Sequence, residues 1–302
     1  MKILITGGAG FIGSNLCESL CVNHEVVCMD NFLTGRKENI SGLSVEFVNH
    51  DVRKPFDLKC DVIFNMASPA SPVDYQNLPL ETLETNAYGI KNVLENAKRY
   101  GARVLQASTS EIYGDPLEHP QKEEYWGNVN TLGPRACYDE SKRLAETVCY
   151  NYHQKFGVEI VLARIFNTYG KKMRKDDGRV IPNFAMQALA GKDLTIYGDG
   201  NQTRSFCHVD DNIKALEKLA FSDIEFDVFN VGNPDEYSLK QLANEIISVC
   251  GSKSKIVYKE LPQDDPKRRK PDISKIRRAI GWEPKIGLKD GLKKTMEWFR
   301  KE

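Results

Sequence analysis

A glycine-rich turn near the N terminus constrains the fold of this chain more than any other segment. Gly7, Gly10 and Gly13 follow the short apolar run Lys2–Thr6 and precede a stretch with helical spacing. The first glycine suits a tight turn with positive φ, the second lets the backbone approach a pyrophosphate, and the third permits close packing of helix and strand. The free amides and the dipole at the N terminus of the helix then favour phosphate groups. The turn therefore predicts a Rossmann-type dinucleotide site.

An acidic residue at the end of the second predicted strand specifies the dinucleotide. Asp30 closes the run that begins at Glu25. Its carboxylate would accept hydrogen bonds from the hydroxyls of the adenosine ribose and would repel a 2′-phosphate. NAD is therefore favoured over NADP, although Arg36 lies close enough in sequence to weaken that preference.

Hydrophobic patterning predicts an α/β fold, namely a Rossmann-type doubly wound parallel sheet with a smaller C-terminal α/β lobe that binds substrate. Residues 1–166 would form the NAD-binding domain, residues 206–232 would return to it, and residues 167–302 would form the second lobe. Two long helices are expected over Leu78–Tyr100 and Pro134–Phe156. The other predicted elements are strands over Lys2–Thr6, Glu25–Met29, Val45–Val48, Asp61–Asn65, Arg103–Ala107, Val158–Ala163, Leu194–Tyr197 and Val228–Val231, and helices over Phe11–Val22, Val180–Ala190 and His208–Ala220.

Composition excludes several classes of protein. The 302-residue chain has a formal net charge of zero, which argues against nucleic-acid or membrane binding through bulk charge. It contains no apolar run of the length that crosses a membrane, and because the first strand begins at Lys2 we expect no signal peptide. The eight cysteines form no Cys-x-x-Cys pair, and the five histidines are scattered. We therefore expect reduced thiols, a cytoplasmic location and no metal site.

Residues suited to proton transfer lie on the second long helix and after the strand Arg103–Ala107. Tyr138 and Lys142 are four positions apart, so they share one helix face. A lysine cation and a positively charged nicotinamide would lower the pKa of the phenol from its usual value of about 10. Thr109 could hydrogen-bond the same substrate oxygen as Tyr138, and Glu111 could donate or accept a proton near the reacting carbon.

The motifs around these residues resemble the nucleotide-sugar branch of the extended short-chain dehydrogenase/reductase superfamily. More specifically, they are similar to those of UDP-glucuronate decarboxylases, and the similarity runs from the first strand to Trp282-Glu283-Pro284. The resembling segments are Asp30-Asn31-Phe32-x-Thr34-Gly35-Arg36-Lys37, Ala67-Ser68-Pro69-Ala70-Ser71-Pro72, Ala107–Pro116, Gly133–Arg143, Arg164–Thr168, Gln202–Phe206 and Gln263–Asp272.

The resemblance implies roles for individual residues. NAD would be held, besides the three glycines, Asp30, Tyr138 and Lys142, by Phe11, Ile12, Asn31, Thr34, Gly35, Asp51, Val52 and Ala67. The UDP-sugar would contact Asn167, Val180, Asn183, Tyr197, Gln202 and Arg204, and Arg269 would reach a phosphate or the glucuronate carboxylate. The catalytic set would comprise Thr109, Ser110, Glu111, Tyr138, Lys142 and Arg269.

The expected reaction is oxidation at C4 of UDP-glucuronate, loss of carbon dioxide from the resulting β-keto acid, and reduction at C4, so that NAD is regenerated. Related 4,6-dehydratases carry an aspartate where this chain has Ser110, and serine is a poor general acid. That difference disfavours a dehydratase, although a 4-epimerase or a 4,6-dehydratase remains the alternative. A non-catalytic NAD-binding scaffold and a serine hydrolase fit less well, since the Thr109, Tyr138 and Lys142 set is intact and no Gly-x-Ser-x-Gly motif is present.

The resemblance also implies a homodimer, in which the two long helices would form a two-fold four-helix interface. In three places the chain departs from the family pattern. Glu81 and Glu84 stand on the first long helix where lysines are frequent, His208 replaces a common tyrosine, and Ser141 replaces a common glycine. The glutamates put substrate or partner contacts from that helix in doubt.

Overall fold

The computed structural model describes residues 1–260 and 268–301. Its centre is a sheet of seven parallel strands in the order β7-β6-β5-β4-β1-β2-β3. The strands are β1 (Lys2–Thr6), β2 (Glu25–Asp30), β3 (Glu46–Asn49), β4 (Val62–Asn65), β5 (Arg103–Thr109), β6 (Ile160–Ile165) and β7 (Phe226–Val231). The helices are α1 (Phe11–Leu20), α2 (Pro72–Asn77), α3 (Pro79–Glu84), α4 (Ile90–Tyr100), α5 (Ala136–Phe156), α6 (Val180–Leu189), α7 (Val209–Ala220), α8 (Leu239–Cys250), α9 (Ser274–Ile280) and α10 (Leu288–Lys301).

This architecture confirms the predicted Rossmann-type sheet. The central strands consist largely of β-branched and other apolar residues, because helices cover both of their faces. The strand order reverses at β1, which pairs with β2 on one side and β4 on the other. Loops diverge at such a switch point, so a crevice opens beyond the carboxyl ends of the strands.

Each face of the sheet has its own apolar core. On one face, α1 and α7 pack against the sheet through residues such as Leu16 and Leu216. On the other face, α4 and α5 pack through residues such as Val93 and Ala145. Because α5 lies directly on β5 and β6, the tyrosine and lysine on that helix are brought to the strand that ends at Thr109.

The first predicted long helix, Leu78–Tyr100, is interrupted. It begins at Pro79 as α3, widens into a single π-helical turn over Thr85–Gly89, and continues as α4. The wide turn presents Asn86 to α5, where its side-chain amide donates to the Ser141 hydroxyl at 3.0 Å. Periodicity does not distinguish a widened turn from a regular one, and the polar contact that accompanies it is tertiary.

The C-terminal part has a third apolar core. It is built by α6, α8 and α10 together with two short parallel strands, Leu194–Tyr197 and Ile256–Lys259. A second small sheet places the strand Thr203–Ser205 between Glu236–Ser238 and Arg268–Arg269. Arg204 and Arg269 therefore lie on neighbouring strands.

Two segments return from this part to the large sheet. One is α7 with β7, which pairs in parallel with β6. The other, which the sequence analysis did not predict, carries Ile273, Ile276 and Trp282 into the first core. The indole nitrogen of Trp282 donates to the Asp211 carbonyl at 3.1 Å. The predicted domain boundaries do not assign this second segment to the large sheet. It is too short to show a hydrophobic periodicity that would have predicted its position.

No helix in the described parts of the chain combines the length and the apolar character needed to cross a membrane.

A buried ion pair joins the sheet to α5. Arg164 on β6 donates to both carboxylate oxygens of Glu146, at 3.0 and 2.8 Å. The same guanidinium donates to the hydroxyl of Tyr113 and to the Glu123 carbonyl, and the Ser108 hydroxyl donates to Glu146 at 2.5 Å. The side chains of both ions are less than 15% exposed, at 11% and 14%, so each charge depends on the other for compensation.

Replacing Arg164 with Met should lower the free energy of unfolding by roughly 3–5 kcal/mol, because Glu146 would remain buried and uncompensated. The matched change at a surface pair, Arg277→Met, removes the exposed partner of Glu283 and should cost less than about 1 kcal/mol. Urea titration followed by circular dichroism measures both values. Equal losses in the two variants would contradict this account of the pair.

Candidate active site

A cleft of about 410 Å³ opens at the carboxyl ends of the strands, between the sheet and the C-terminal part. Most of the residues that the sequence analysis selected line this one cleft. They are Gly7, Gly10, Phe11, Ile12, Gly13, Asp30, Asn31, Thr34, Gly35, Asp51, Val52, Ala67, Thr109, Ser110, Glu111, Tyr138, Lys142, Asn167, Val180, Arg204 and Arg269.

The glycine turn has the compactness that a dinucleotide site requires. A Cβ atom on Gly13 would lie 2.1 Å from the Gly7 carbonyl oxygen, and one on Gly7 would lie 2.7 Å from the Ala67 Cα. Gly7 has a φ of 65°, in the left-handed region that favours glycine. Within the described part of the chain, no side chain caps the N terminus of α1, so the first-turn residues Phe11 and Ile12 present helix amides to the cleft. These features fit the phosphates of NAD.

Asp30 lies at the floor of this end of the cleft. Its carboxylate accepts hydrogen bonds from the backbone amides of Ala9 and Phe32, at 3.0 and 2.8 Å. Burial raises the pKa of Asp30, although these amides oppose the shift. A Cβ on Gly35 would lie 2.9 Å from both carboxylate oxygens, so the glycine keeps them accessible to a ribose. Arg36 pairs with Asp176 at 3.1 Å instead of facing Asp30.

The unusual glutamate at position 84 has a partner at this end of the cleft. Arg53 donates to Glu84 at 2.8 Å and also holds both carboxylate oxygens of Asp51. The hydrogen bonds from Arg53 lower the pKa of Asp51. Glu84 therefore belongs to a chain of ions that fixes Asp51, a residue selected for contact with NAD.

Tyr138 is buried at the centre of the cleft wall. Its ring stacks on that of Tyr75, with 5.1 Å between the ring centroids and an angle of 9°. Burial raises the pKa of Tyr138 to about 12, and a hydrogen bond with Thr109 opposes that shift. The direction is opposite to the lowering expected from Lys142, so the protein groups alone keep this phenol protonated.

Lys142 is buried at the end of β5, beside the ring of Tyr138. Its ammonium donates to the Ala107 carbonyl at 3.0 Å and lies 5.8 Å from the centroid of the Tyr138 ring. Burial lowers the pKa of Lys142 to about 8. The ammonium is thus bound at the end of β5, next to the Ala107 carbonyl.

Glu111 is held by two guanidinium groups. Arg269 donates to both of its carboxylate oxygens, and Arg135 donates to one of them. Burial alone would raise the pKa of Glu111, but the two arginines outweigh it and lower the pKa to about 2. Glu111 is therefore a carboxylate at neutral pH and holds no proton that it could donate, and its low pKa also makes it a weak base. Arg269, expected to face a phosphate or a sugar carboxylate, is bound here to Glu111.

Three predicted substrate residues do not line the cleft. The side chain of Asn183 donates to the Gly178 carbonyl at 2.8 Å, and that of Gln202 donates to the Tyr197 carbonyl at 2.5 Å. Tyr197 itself is 45% exposed at the end of its strand.

The cleft is also lined by residues that the sequence does not single out as site residues, among them Tyr75, Arg135 and Arg179. Arg135 lies in the segment Gly133–Arg143, which resembles the decarboxylase family. Its contact with Glu111 could not be predicted from the sequence, because the two residues are 24 positions apart. Among the described residues, no group of three or more His, Cys, Asp or Glu side chains is arranged to hold a metal ion.

Comparison with known proteins agrees with this geometry. Residues 3–232 match the model of the NAD dependent epimerase/dehydratase family. The UDP-glucuronic acid decarboxylase 1 of Xenopus tropicalis is 53% identical over 306 aligned residues, which cover 100% of this chain and 72% of that protein. The UDP-glucuronic acid decarboxylase 1 of Arabidopsis thaliana is 50% identical over 305 aligned residues, 99% of this chain and 70% of the relative.

A solved structure extends the comparison to the cofactor. The UDP-glucuronic acid 4-epimerase of Bacillus cereus, solved in complex with UDP-glucuronic acid and NAD, superimposes with a TM-score of 0.89. The two proteins are 28% identical, and the superposition covers 100% of this chain and 99% of the epimerase.

Proposed function

Because this chain belongs to the NAD dependent epimerase/dehydratase family, we infer that it is an enzyme that uses NAD to decarboxylate UDP-glucuronate. The observation that carries this conclusion is similarity over the whole chain to decarboxylases from animals and plants, at 53% and 50% identity. The site agrees, since Thr109, Tyr138 and Lys142 meet at the end of β5 beside the glycine turn.

The cofactor supplies what the protein groups lack. When bound, NAD would supply an acceptor and donor for the hydride of C4 and a positive charge that would favour the phenolate of Tyr138. Tyr138 then removes the proton from the C4 hydroxyl, with Thr109 hydrogen-bonded to the phenol oxygen. The sugar becomes a 4-ketone whose carboxylate is β to that ketone.

The next step requires an electron sink and no leaving-group acid. The C5–C6 bond breaks, its electron pair moves toward the ketone, and carbon dioxide departs. A proton from water then adds to C5, and Tyr138 returns to the C4 oxygen the proton that it removed earlier, as the ketone is reduced. Ser110, buried in the turn after β5, carries no carboxyl group that could expel a hydroxyl. This difference disfavours the 4,6-dehydratase, which along with the 4-epimerase is the alternative.

The nucleotide half of the substrate is proposed to contact the C-terminal part of the cleft. Asn167, Val180 and Arg204 line it, and Arg204 is buried on the strand beside Arg269. A guanidinium in this position suits a diphosphate, because its planar set of donors matches two oxygens. Contact of the UDP-sugar with Asn183, Tyr197 and Gln202 stays a prediction, and these residues do not line the cleft.

Incubation of the purified protein with UDP-glucuronate and NAD should yield a UDP-pentose and carbon dioxide, read by mass spectrometry. An epimerase would leave the mass unchanged, and a dehydratase would remove water. Tyr138→Phe, which deletes only the phenol hydroxyl, should abolish product while leaving bound NAD. An unchanged substrate mass with the wild-type protein would overturn the assignment.

Removing the guanidinium of Arg269 should damage turnover more than retention of NAD. Arg269→Ala is expected to lower kcat by about 10²- to 10³-fold, because a buried charged donor of the cleft is lost and Glu111 loses one of its two guanidinium partners. The matched variant Arg268→Ala alters the exposed neighbour on the same strand and should leave turnover unchanged. NAD content measured after denaturation separates a catalytic defect from misfolding, since misfolding would remove both properties together.

We also propose that the protein is a homodimer that pairs through the helical layer of α3, α4 and α5. Large apolar side chains are exposed on these helices and on the wide turn between α3 and α4. Among them are Leu80, Tyr88, Leu144 and Tyr150, which are 68%, 62%, 47% and 52% exposed. A second copy of the same layer would cover them, as two-fold interfaces require self-complementary surfaces. The cytoplasmic location expected from the sequence stays a prediction.

Light scattering at micromolar concentration should give the mass of a dimer for the wild-type protein. The double variant Leu80→Lys with Tyr88→Lys should shift the mass to a monomer, since two buried charges per copy would oppose association. Leu132→Lys, at a 95% exposed position outside these helices, is the control and should remain dimeric. A wild-type monomer would refute the proposal.

A further inference from the structure

Four ionisable side chains converge behind the reacting end of the cleft. They are two carboxylates, Glu111 and Asp139, and two guanidinium groups, Arg135 and Arg269. All are largely buried, with side-chain exposures of 12%, 8%, 19% and 6% in that order. The group is formally neutral, and its members come from the turn after β5, from the start of α5 and from the strand Arg268–Arg269.

The two arginines compensate the charges of the two carboxylates unequally. Glu111 receives hydrogen bonds from both arginines, whereas Asp139 lies 3.9 Å from Nε of Arg135, outside hydrogen-bond range. Among the described residues, the buried Oδ1 of Asp139 has no hydrogen-bond partner, and neither does the buried hydroxyl of Tyr75. Asp139 is thus a buried carboxyl whose charge is weakly compensated.

The proposed substrate would disturb this neutral group. The sugar of UDP-glucuronate carries a carboxylate on C5. With that substrate in the cleft, three carboxylates would face two guanidinium groups. Burying a surplus negative charge is unfavourable, and such groups usually bind a proton instead. The decarboxylation also consumes one proton, because a carbon–carbon bond is replaced by a carbon–hydrogen bond as carbon dioxide leaves.

We propose that Asp139 takes up a proton when the sugar carboxylate binds and keeps the buried charges balanced until carbon dioxide has left. Asp139 acts as a positioning residue: when it is neutral, Arg135 and Arg269 remain free to hold Glu111 and the substrate. Loss of neutral carbon dioxide and protonation of C5 remove the extra negative charge, so the proton on Asp139 can then be released. The proposal rests on the proposed function, since it requires a substrate that carries a carboxylate.

The electrostatic surroundings of Asp139 support this role. Burial, Glu111 and Glu140 raise the pKa of Asp139, Arg135 and Arg269 oppose that shift, and together they leave the pKa at about 7. Tyr75 and Tyr138 also face the group, and burial raises the pKa of both phenols, so they remain neutral. Near neutral pH the carboxyl is poised between its two forms, and an added negative charge favours the protonated one.

The test is calorimetry of ligand binding to the NAD-loaded protein at pH 8, in buffers of different ionisation enthalpy. Tyr138→Phe stops turnover, and UDP-glucose serves as the matched ligand without a carboxylate. UDP-glucuronate should bind with an additional uptake that approaches about one proton per site. Asp139→Asn, which fixes a neutral side chain of the same shape, should abolish the additional uptake.

The additional proton uptake in control variants distinguishes the possible outcomes. Glu140→Gln, a change at the neighbouring and more exposed carboxylate, should retain the additional uptake. Equal uptake with both ligands, or additional uptake that persists in Asp139→Asn, would overturn the proposal; Asp139→Ser replaces the amide variant if that protein does not fold. Failure of the wild-type protein to release carbon dioxide would instead refute the decarboxylase assignment, and it leaves the proton measurement intact.

Discussion

The pairing of Arg164 with Glu146 is the contact on which the geometry of the active site depends. It fixes α5 on the sheet one helical turn beyond Lys142, and it therefore sets where Tyr138 and Lys142 stand relative to the end of β5. The same guanidinium donates to the Tyr113 hydroxyl, which donates in turn to the Asn230 side chain. A buried ion pair of this kind adds little net stability, but it defines one arrangement because each ion has a single compensated position.

The network continues from Asn230 to the strand that bears Arg269. The Asn230 amide donates to the Gln121 carbonyl, and the Lys270 amide donates to the Gln121 side chain. Arg269 is thus placed through backbone contacts with a loop that follows β5, and it reaches Glu111 from the far end of the chain. The two halves of the catalytic set are joined by hydrogen bonds as well as by the apolar cores.

Charge compensation within the protein is a general property of the cleft. Most of its ionised groups are paired within the protein: Glu111 with two arginines, Asp51 with Arg53, and Arg179 with Asp177. Lys142 donates a hydrogen bond to the Ala107 carbonyl. Such a site gains catalytic power when charge appears on the substrate, because its dipoles and ions are already oriented and need not reorganise.

The sequence by itself determined the dinucleotide turn, the acid at Asp30, the parallel sheet and the pairing of Tyr138 with Lys142. These features depend on short spacings, and the backbone converts a short spacing directly into a position on one turn or one helix face. Only the tertiary structure decided the ionisation of Glu111, the direction in which Lys142 points and the raised pKa of Tyr138. Those properties arise from burial and from partners such as Arg269, which is separated from Glu111 by 158 positions, and no local pattern encodes contacts made across that distance.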